Sequence, residues 1–376
     1  MTIRTVALAV TVALAASVAW GEPVLEQSAM HAATEVVLYT GASAALVRQS
    51  SMIRLAEGAN VVSFAWAGDK IDVASVRLHA PADVAVGEVL RPAGAATALQ
   101  WTLTPQSPGV APVTIGYQLA GITWTPGWRL TWEPGAADAT LEGWVTVTNG
   151  SGLDLSDVRA RVVLGRPGVD AADQLSFPIA ALTELSAGAS LRTALVPTMA
   201  LGTRVIRRID SGAAPEQVRM RLGVQPPTAG VLAREPLPAG PMTVALTSAD
   251  GPDELLATEL KYEPGEEFEI DLGLARDILV DRRLLSREKL RMEFDRLGRV
   301  SGFDTVETCL IEVRNLSSED VSIEIVEAVV NTAWEFETRA LHVAEPGRVI
   351  MHLGVAPGER GHVQFTITKH SGTRIP

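Results

Sequence analysis

The chain has 376 residues, of which 47% are hydrophobic and 20% are charged, so it can bury a core and its length suits two or three domains. Its formal net charge of −12 argues against a nucleic-acid partner, whose phosphates require a basic surface. The same charge argues against electrostatic docking to anionic lipid.

Residues 1–21 have the pattern of a secretory signal. Arg4 supplies the charged start, residues 6–16 form an apolar run, and Ala19-Trp20-Gly21 ends in a small-x-small cleavage site. Cleavage after Gly21 or Ala19 is therefore expected, which places the chain in the periplasm or outside the cell. A retained anchor is the alternative, but the run is shorter than the roughly 20 residues that span a bilayer. No later segment is apolar enough to span.

Cys309 is the only cysteine, which excludes an intrachain disulfide. It lies within the alternating segment VETCLIEV, so we expect a buried structural thiol. Glu307 and Glu312 flank it, whereas a reactive thiol favours cationic surroundings.

Residues 22–110 are predicted to form an N-terminal β-domain followed by a connector. The segment Glu35–Ala80 alternates apolar and polar side chains, as strands do. The following segment, Ala80–Pro112, is rich in Ala, Pro and Gly, and we predict a connector there apart from a candidate strand at Leu99–Leu103.

Residues 111–300 are predicted to form a central β-sandwich domain that begins with a tryptophan-rich stretch. Trp124, Trp128 and Trp132 recur every four residues, a spacing compatible with one face of a helix or of a strand. The intervening Pro126-Gly127 decides for strand, because an interior Pro costs a helix about 3 kcal/mol. We predict a bend or bulge at Thr125-Pro126-Gly127 and a turn at 133–135.

The tryptophans have two interpretations. The favoured one is packing between sheets, with Trp124 and Trp144 both pointing into a buried layer. The alternative is a possible binding surface for sugar formed by Trp124, Trp128 and Trp132.

The rest of the central domain has a weaker pattern. Arg166–Ala200 is predicted to leave the sheet and to include one helical turn. Leu274–Arg296 is compatible with either a helix or a strand. Strands are predicted at Val205–Ile209, Val218–Leu222, Met242–Leu246 and Glu267–Leu272.

Residues 301–376 are predicted to form an immunoglobulin-like β-sandwich. Its five predicted strands are Val306–Val313, Val321–Val330, Trp334–Leu341, Val349–Leu353 and His362–Thr368. The pattern Val-x-Val-x-Asn149-x-Ser151 recurs as Ile-x-Val-x-Asn315-x-Ser317. Two related sandwich units or convergent turn chemistry would both explain this echo. The fold expected for the whole chain is mainly β, with tandem β-sandwich domains.

The tryptophan-rich stretch also carries a family resemblance. The run Trp124-Thr125-Pro126-Gly127-Trp128-Arg129-Leu130, with the Asn149-Gly150-Ser151 turn, resembles the central domain of the mucoidy-inhibitor-A-like proteins, an uncharacterised bacterial envelope family. Further segments that resemble the family are Val36–Ala80, Leu237–Leu246, Glu259–Val280 and Val306–Val330. The resemblance implies an envelope location and favours a strand around Asp277–Leu284. The family commonly inserts a long coiled coil, and residues 81–112 have no heptads, so that part is missing here.

No catalytic, cofactor or metal motif stands out. The sequence has no nucleophile elbow, phosphate-binding loop or paired metal-ligand spacing, although His342, His352 and His362 lie on successive predicted strands. The acidic run from Glu263 to Asp271 is interpreted as the wet face of a hairpin, with a calcium site or a glycosidase carboxylate pair as alternatives.

These patterns predict an exported, non-catalytic binding or scaffolding protein of the bacterial envelope, without a cofactor. Its partner would be another envelope protein or a polysaccharide. The alternative is a carbohydrate-active enzyme or a lectin that acts on envelope polysaccharide, and paired carboxylates in a cleft would distinguish it.

Overall fold

The fold is described from a computed structural model, which describes residues 24–25, 28–167, 174–179, 182–227, 233–247, 254–329 and 333–375. The predicted signal segment, residues 1–21, lies outside these ranges. Within them the secondary-structure elements are strands, which confirms the predicted mainly β, sandwich-like fold. None of the described residues belongs to a helix with the length and apolarity to cross a membrane.

The strands are numbered in chain order. The first twelve are β1 Val24–Leu25, β2 Ser28–Tyr39, β3 Ala44–Leu55, β4 Asn60–Ala65, β5 Ile71–His79, β6 Val84–Leu90, β7 Ala98–Pro105, β8 Gly109–Ala120, β9 Ile122–Trp132, β10 Asp138–Asn149, β11 Val158–Leu164 and β12 Leu175–Ile179. The others are β13 Ser190–Asp210, β14 Ala214–Val224, β15 Gly240–Leu246, β16 Glu254–Leu260, β17 Phe268–Leu274, β18 Ile278–Phe294, β19 Val300–Asn315, β20 Val321–Ala328, β21 Trp334–Thr338, β22 His342–Glu345, β23 Arg348–Val355 and β24 Arg360–Gly372.

The chain folds into two compact units. Unit 1 comprises Met1–Arg129, Glu142–Thr198 and Pro238–Met242, and unit 2 comprises Leu130–Leu141, Met199–Leu237 and Thr243–Pro376. The domain boundaries predicted at residues 110 and 300 stay predictions.

Unit 1 contains a four-stranded sheet in the order β1-β4-β7-β6 and a six-stranded sheet in the order β12-β11-β2-β3-β8-β5. Phe64 of the first sheet packs on Tyr117 of the second, with ring centroids 5.4 Å apart, and both side chains are fully buried. Such contact between two sheets defines a sandwich core. Segments of β15, β9, β10 and β13, neighbours in that order, complete the unit.

The connector expected at Ala80–Pro112 was wrong in part. The candidate strand at Leu99–Leu103 is confirmed by β7, where Trp101 and Leu103 alternate inward. The rest of the predicted connector also contains β6 and the first residues of β8, even though its composition resembles a linker. β9 runs through Pro126 as a single strand, so no bend interrupts it, and the alternative of a bulge at Thr125-Pro126-Gly127 stays a prediction. Room for the Pro126 ring comes from Gly240 on β15, where a Cβ would come within 2.7 Å of the Pro126 Cγ atom.

The helical turn expected within Arg166–Ala200 is not found among the described residues of that segment, which form β12 and the start of β13. The ambiguous segment Leu274–Arg296 is extended and consists mostly of β18. The turn predicted at residues 133–135 is confirmed by the hydrogen bond from the Ala136 amide to the Glu133 carbonyl.

Unit 2 contains the four-stranded sheet β18-β19-β24-β21, and its buried side chains pack against those of β23, β20, β13 and β14. Its core consists of aliphatic and aromatic side chains such as Ile209, Ile311, Ile323, Met351 and Phe365, all exposed by 1% or less. The five strands predicted for residues 301–376 are present, and β22 was missed. The immunoglobulin-like assignment stays a prediction.

The two units share a strand-pairing scheme. In unit 1, β11 pairs parallel with β2, β2 antiparallel with β3, and β3 antiparallel with β8. In unit 2, β20 pairs parallel with β13, β13 antiparallel with β14, and β14 antiparallel with β17. The recurrence of a parallel pair at the same place in each series favours related sandwich units over convergent turns.

Candidate binding surface

The three tryptophans of β9 do not form an exposed platform. Trp128 is 0% exposed and Trp132 is 4% exposed. The Trp128 indole N–H donates to the Pro238 carbonyl at 3.1 Å, and its ring lies against Gly143 of β10. The Trp132 indole N–H donates to the Ala136 carbonyl. The possible binding surface formed by Trp124, Trp128 and Trp132 is therefore corrected. The buried rings of Trp128 and Trp132 present no face to a ligand.

Trp124 and Trp144, which were both expected to point into a packed layer, are half-buried. The Trp124 indole N–H donates to the Tyr39 carbonyl at 3.2 Å. Trp144 lies on the face of β10 opposite to the fully buried Val145 and Val147. The expectation that Trp144 points into the buried layer was wrong, because in a strand an even position and its odd neighbours face opposite ways.

The Trp144 ring is enclosed by two contacts within unit 1. The Arg192 guanidinium carbon lies 3.5 Å from the ring centroid, a cation–π contact. The indole also lies against Gly127 of β9, where any Cβ would collide with it. A sugar would have to displace Arg192 in order to stack on this ring.

Asn149 and Asn315 hold two turns with the same hydrogen bonds. In unit 1 the Asn149 side-chain amide donates to the Leu153 and Leu185 carbonyls, and its oxygen accepts from the Ser151 amide and hydroxyl. In unit 2 the Asn315 amide donates to the Glu319 and Val355 carbonyls, and its oxygen accepts from both Ser317 donors. Both asparagines are fully buried, so their role is structural.

The acidic run of β17 faces arginines rather than an ion. Glu269 accepts two hydrogen bonds of 2.6 Å from Arg208, which also binds Glu324 at 2.6 Å. Burial raises the pKa of Glu269, but Arg208 and Arg221 outweigh it and leave that pKa below its usual value. Further cross-strand pairs join Glu267 to Arg204 and Asp271 to Arg219. No group of three or more metal-binding side chains occurs in the described ranges. The acidic side chains that alternate along this segment thus form a ladder of ion pairs with arginines of unit 2.

Cys309 is 6% exposed, and burial raises the pKa of its thiol, which confirms the buried thiol expected from the sequence. Beside it, Arg282 of β18 forms a two-pronged ion pair with Glu327 of β20, at 2.5 and 2.8 Å. Because Glu327 is 5% exposed, this pair joins the two sheets across the interior of unit 2.

Two of the three histidines predicted on successive strands share a groove, and the third does not line it. His352 and His362 line an open groove of about 820 Å³ with Arg339. His342 is not part of that lining; its ring packs against Phe336, with the two centroids 5.6 Å apart. His370 lies instead against fully buried Asp304, with Nδ1 2.7 Å from the carboxylate.

Among the described residues, a stretch of exposed large apolar side chains lies at the end of the β18–β19 hairpin, residues 289–300, called the hairpin tip here. Its large apolar side chains are exposed by between 43% and 75%, whereas other side chains of this type are mostly buried; they are Leu290, Met292, Phe294, Leu297 and Val300. A group of exposed large apolar side chains within one hairpin end is typical of a surface that binds a partner or a membrane.

The turn of the hairpin tip is well ordered by its own hydrogen bonds. The Asp295 carboxylate accepts the amides of Leu297 and Arg299 at 2.8 and 2.9 Å, and Gly298 has φ +75°. This surface could not be recognised from the sequence, because Leu274–Arg296 is compatible with either a helix or a strand. The signal was the alternation of Leu290, Met292 and Phe294 beside an Asp-x-x-Gly turn.

A scan of protein-family models found no match to the chain, and a search of curated proteins found none either.

Proposed function

We propose that this chain is an exported, non-catalytic β-sandwich protein that acts by binding, as a scaffolding component of the bacterial cell envelope. The observation that carries the proposal is the hairpin tip, which exposes Phe294 by 60% and Leu297 by 75% on an ordered turn. The signal pattern of residues 1–21 and the mucoidy-inhibitor-A-like resemblance support the envelope location.

Each exposed apolar side chain of the tip would lose its contact with water in a complex, which favours association by about 25 cal/mol for each Å² that is covered. The tip lies at the end of a hairpin whose strands pair from Ile278 to Phe294. It can therefore enter a partner without any change to the core of unit 2. The ordered turn also lowers the entropy that binding would cost.

The test is cosedimentation of the purified exported protein with an envelope fraction of its own cells. The double variant Phe294→Asp, Leu297→Asp should lose at least about tenfold in bound fraction, because it places charge where apolar contact is expected. Leu341→Asp is the matched control, since Leu341 is 77% exposed on the same unit but outside the tip. Equal binding by the double variant and the parent would refute the proposal.

A further inference from the structure

We infer that the hairpin tip docks on an anionic lipid surface. This inference rests on the proposed function, because it names the chemistry of the partner for the same surface. Three properties of the tip carry it: the sign of its charge, its shape, and the arrangement of cations around the apolar side chains.

The charge of the tip is opposite to that of the chain. Residues 289–300 contain four basic and two acidic side chains, a formal charge of +2, whereas the whole chain carries −12. Exposed charges act over about a Debye length, near 8 Å at physiological ionic strength. The local charge therefore decides which surface the tip meets first, and the net charge of the chain does not exclude anionic lipid for this segment.

The four basic side chains of the tip differ in their partners. Arg299 binds Asp295 at 3.0 Å and Arg291 binds Asp304 at 3.4 Å, so these two are partly neutralised. Lys289 lies over the Phe303 ring, 4.3 Å from its centroid. Arg296 lies at the turn itself, next to Leu297, and has no carboxylate partner among the described residues. Long basic side chains beside apolar ones suit an interface where the stem is buried and the charge stays among headgroups.

The shape of the tip favours a lipid surface over a protein. A stable protein interface uses about 20–30 residues on each side, and the tip offers about half as many. A protein would need a groove that encloses the hairpin. A bilayer requires no such matching groove, because its headgroup region yields to any small apolar projection. Leu297, in the turn, and Phe294, the last residue of β18, would enter first.

The direct test is cosedimentation of the purified exported protein with vesicles of phosphatidylglycerol and phosphatidylcholine, compared with vesicles of phosphatidylcholine alone. We expect binding to the anionic vesicles that weakens as salt is raised, and little binding to the neutral ones. Arg296→Gln should weaken binding about fivefold, as expected for one basic charge near an anionic surface. Leu297→Asp should weaken it about tenfold or more. Arg339→Gln and Leu341→Asp are the matched controls and should bind like the parent.

Absence of binding to anionic vesicles would overturn the lipid inference, and so would tip variants that bind as the parent does. Arg296→Gln alters only an exposed charge, so it stays informative even where an aspartate variant folds poorly. If vesicle binding is absent while the envelope fraction still retains the parent and rejects the tip variants, the proposed function stands and the partner is a protein or a polysaccharide. If the envelope fraction retains neither the parent nor the tip variants, the proposed function is wrong as well.

Discussion

The indole of Trp128 on β9 lies against Gly143 on β10, at a distance that leaves no room for a Cβ atom. On the opposite face of the same two strands, Trp144 of β10 lies against Gly127 of β9 in the same manner. Each tryptophan therefore fills the space that the glycine of the neighbouring strand leaves open, and it covers backbone that glycine alone would expose.

The Gly143→Ala variant should be less stable than the parent by about 1–3 kcal/mol, because the added methyl group overpacks a site that Trp128 and Val196 already fill. Urea unfolding followed by tryptophan fluorescence measures the difference. Gly109→Ala is the control, since a Cβ at Gly109 has nothing within 4 Å. Equal midpoints for the two variants would show that the Trp128 ring is not held against Gly143.

The tryptophans should differ in their contribution to stability according to their burial. Trp128→Ala should cost about 3–5 kcal/mol, the usual range for a fully buried aromatic residue. Trp144→Ala should cost only about 1–2 kcal/mol, because it removes a half-buried ring and one cation–π contact with Arg192. Chemical unfolding of the two variants gives the order, and a larger loss for Trp144→Ala would contradict it.

Asn149→Ala and Asn315→Ala should destabilise the protein by similar amounts, about 2–4 kcal/mol each. Each substitution removes four side-chain hydrogen bonds and leaves buried backbone carbonyls without their donors. Thermal unfolding should show the loss, whereas Thr148→Ala, on the exposed face of β10, should stay within about 0.5 kcal/mol of the parent. A variant of either asparagine that unfolds like the parent would mean that its turn forms without the side chain.

Strand content and turns could be predicted from the sequence, because alternation and residues such as Asn149 act locally. The burial of Trp128 rather than Trp144 could not be predicted, because it depends on which face of β9 meets Gly143. A shift of the strand register by one residue reverses the two faces. Within Ala80–Pro112 the strand at Leu99–Leu103 could be predicted, but β6 and the start of β8 could not, because Ala and Gly tolerate a sheet while resembling a linker. The hairpin tip was missed because exposure is a property of the tertiary structure.

The stability of unit 2 should depend on the ionised form of Asp304. The hydrogen bond from Arg374 lowers the pKa of Asp304, burial opposes this by raising it, and the hydrogen bond from His370 lowers it further, so the pKa lies below its ordinary value. Because the folded pKa is lowered, this contribution is fully present above the unfolded value of about 3.9 and is lost as the pH falls through the folded pKa.

Asp304→Asn should therefore flatten the dependence of stability on pH below about pH 4, while at neutral pH it lowers stability. Chemical unfolding at a series of pH values compares the variant with the parent. Asp281→Asn, at an exposed carboxylate of β18, is the control. Parallel curves for Asp304→Asn and the parent would contradict this role of Asp304.

The central claim, that the hairpin tip is the binding surface, is tested most directly by an environment-sensitive fluorophore at its apex. The label is attached through Leu297→Cys, and Leu341→Cys provides the control position. Cys309 is buried and burial raises the pKa of its thiol, so the introduced thiol reacts first. On addition of the envelope fraction, emission from position 297 should shift to shorter wavelength and that from position 341 should not. Binding of the chain with unchanged emission at position 297 would contradict the account.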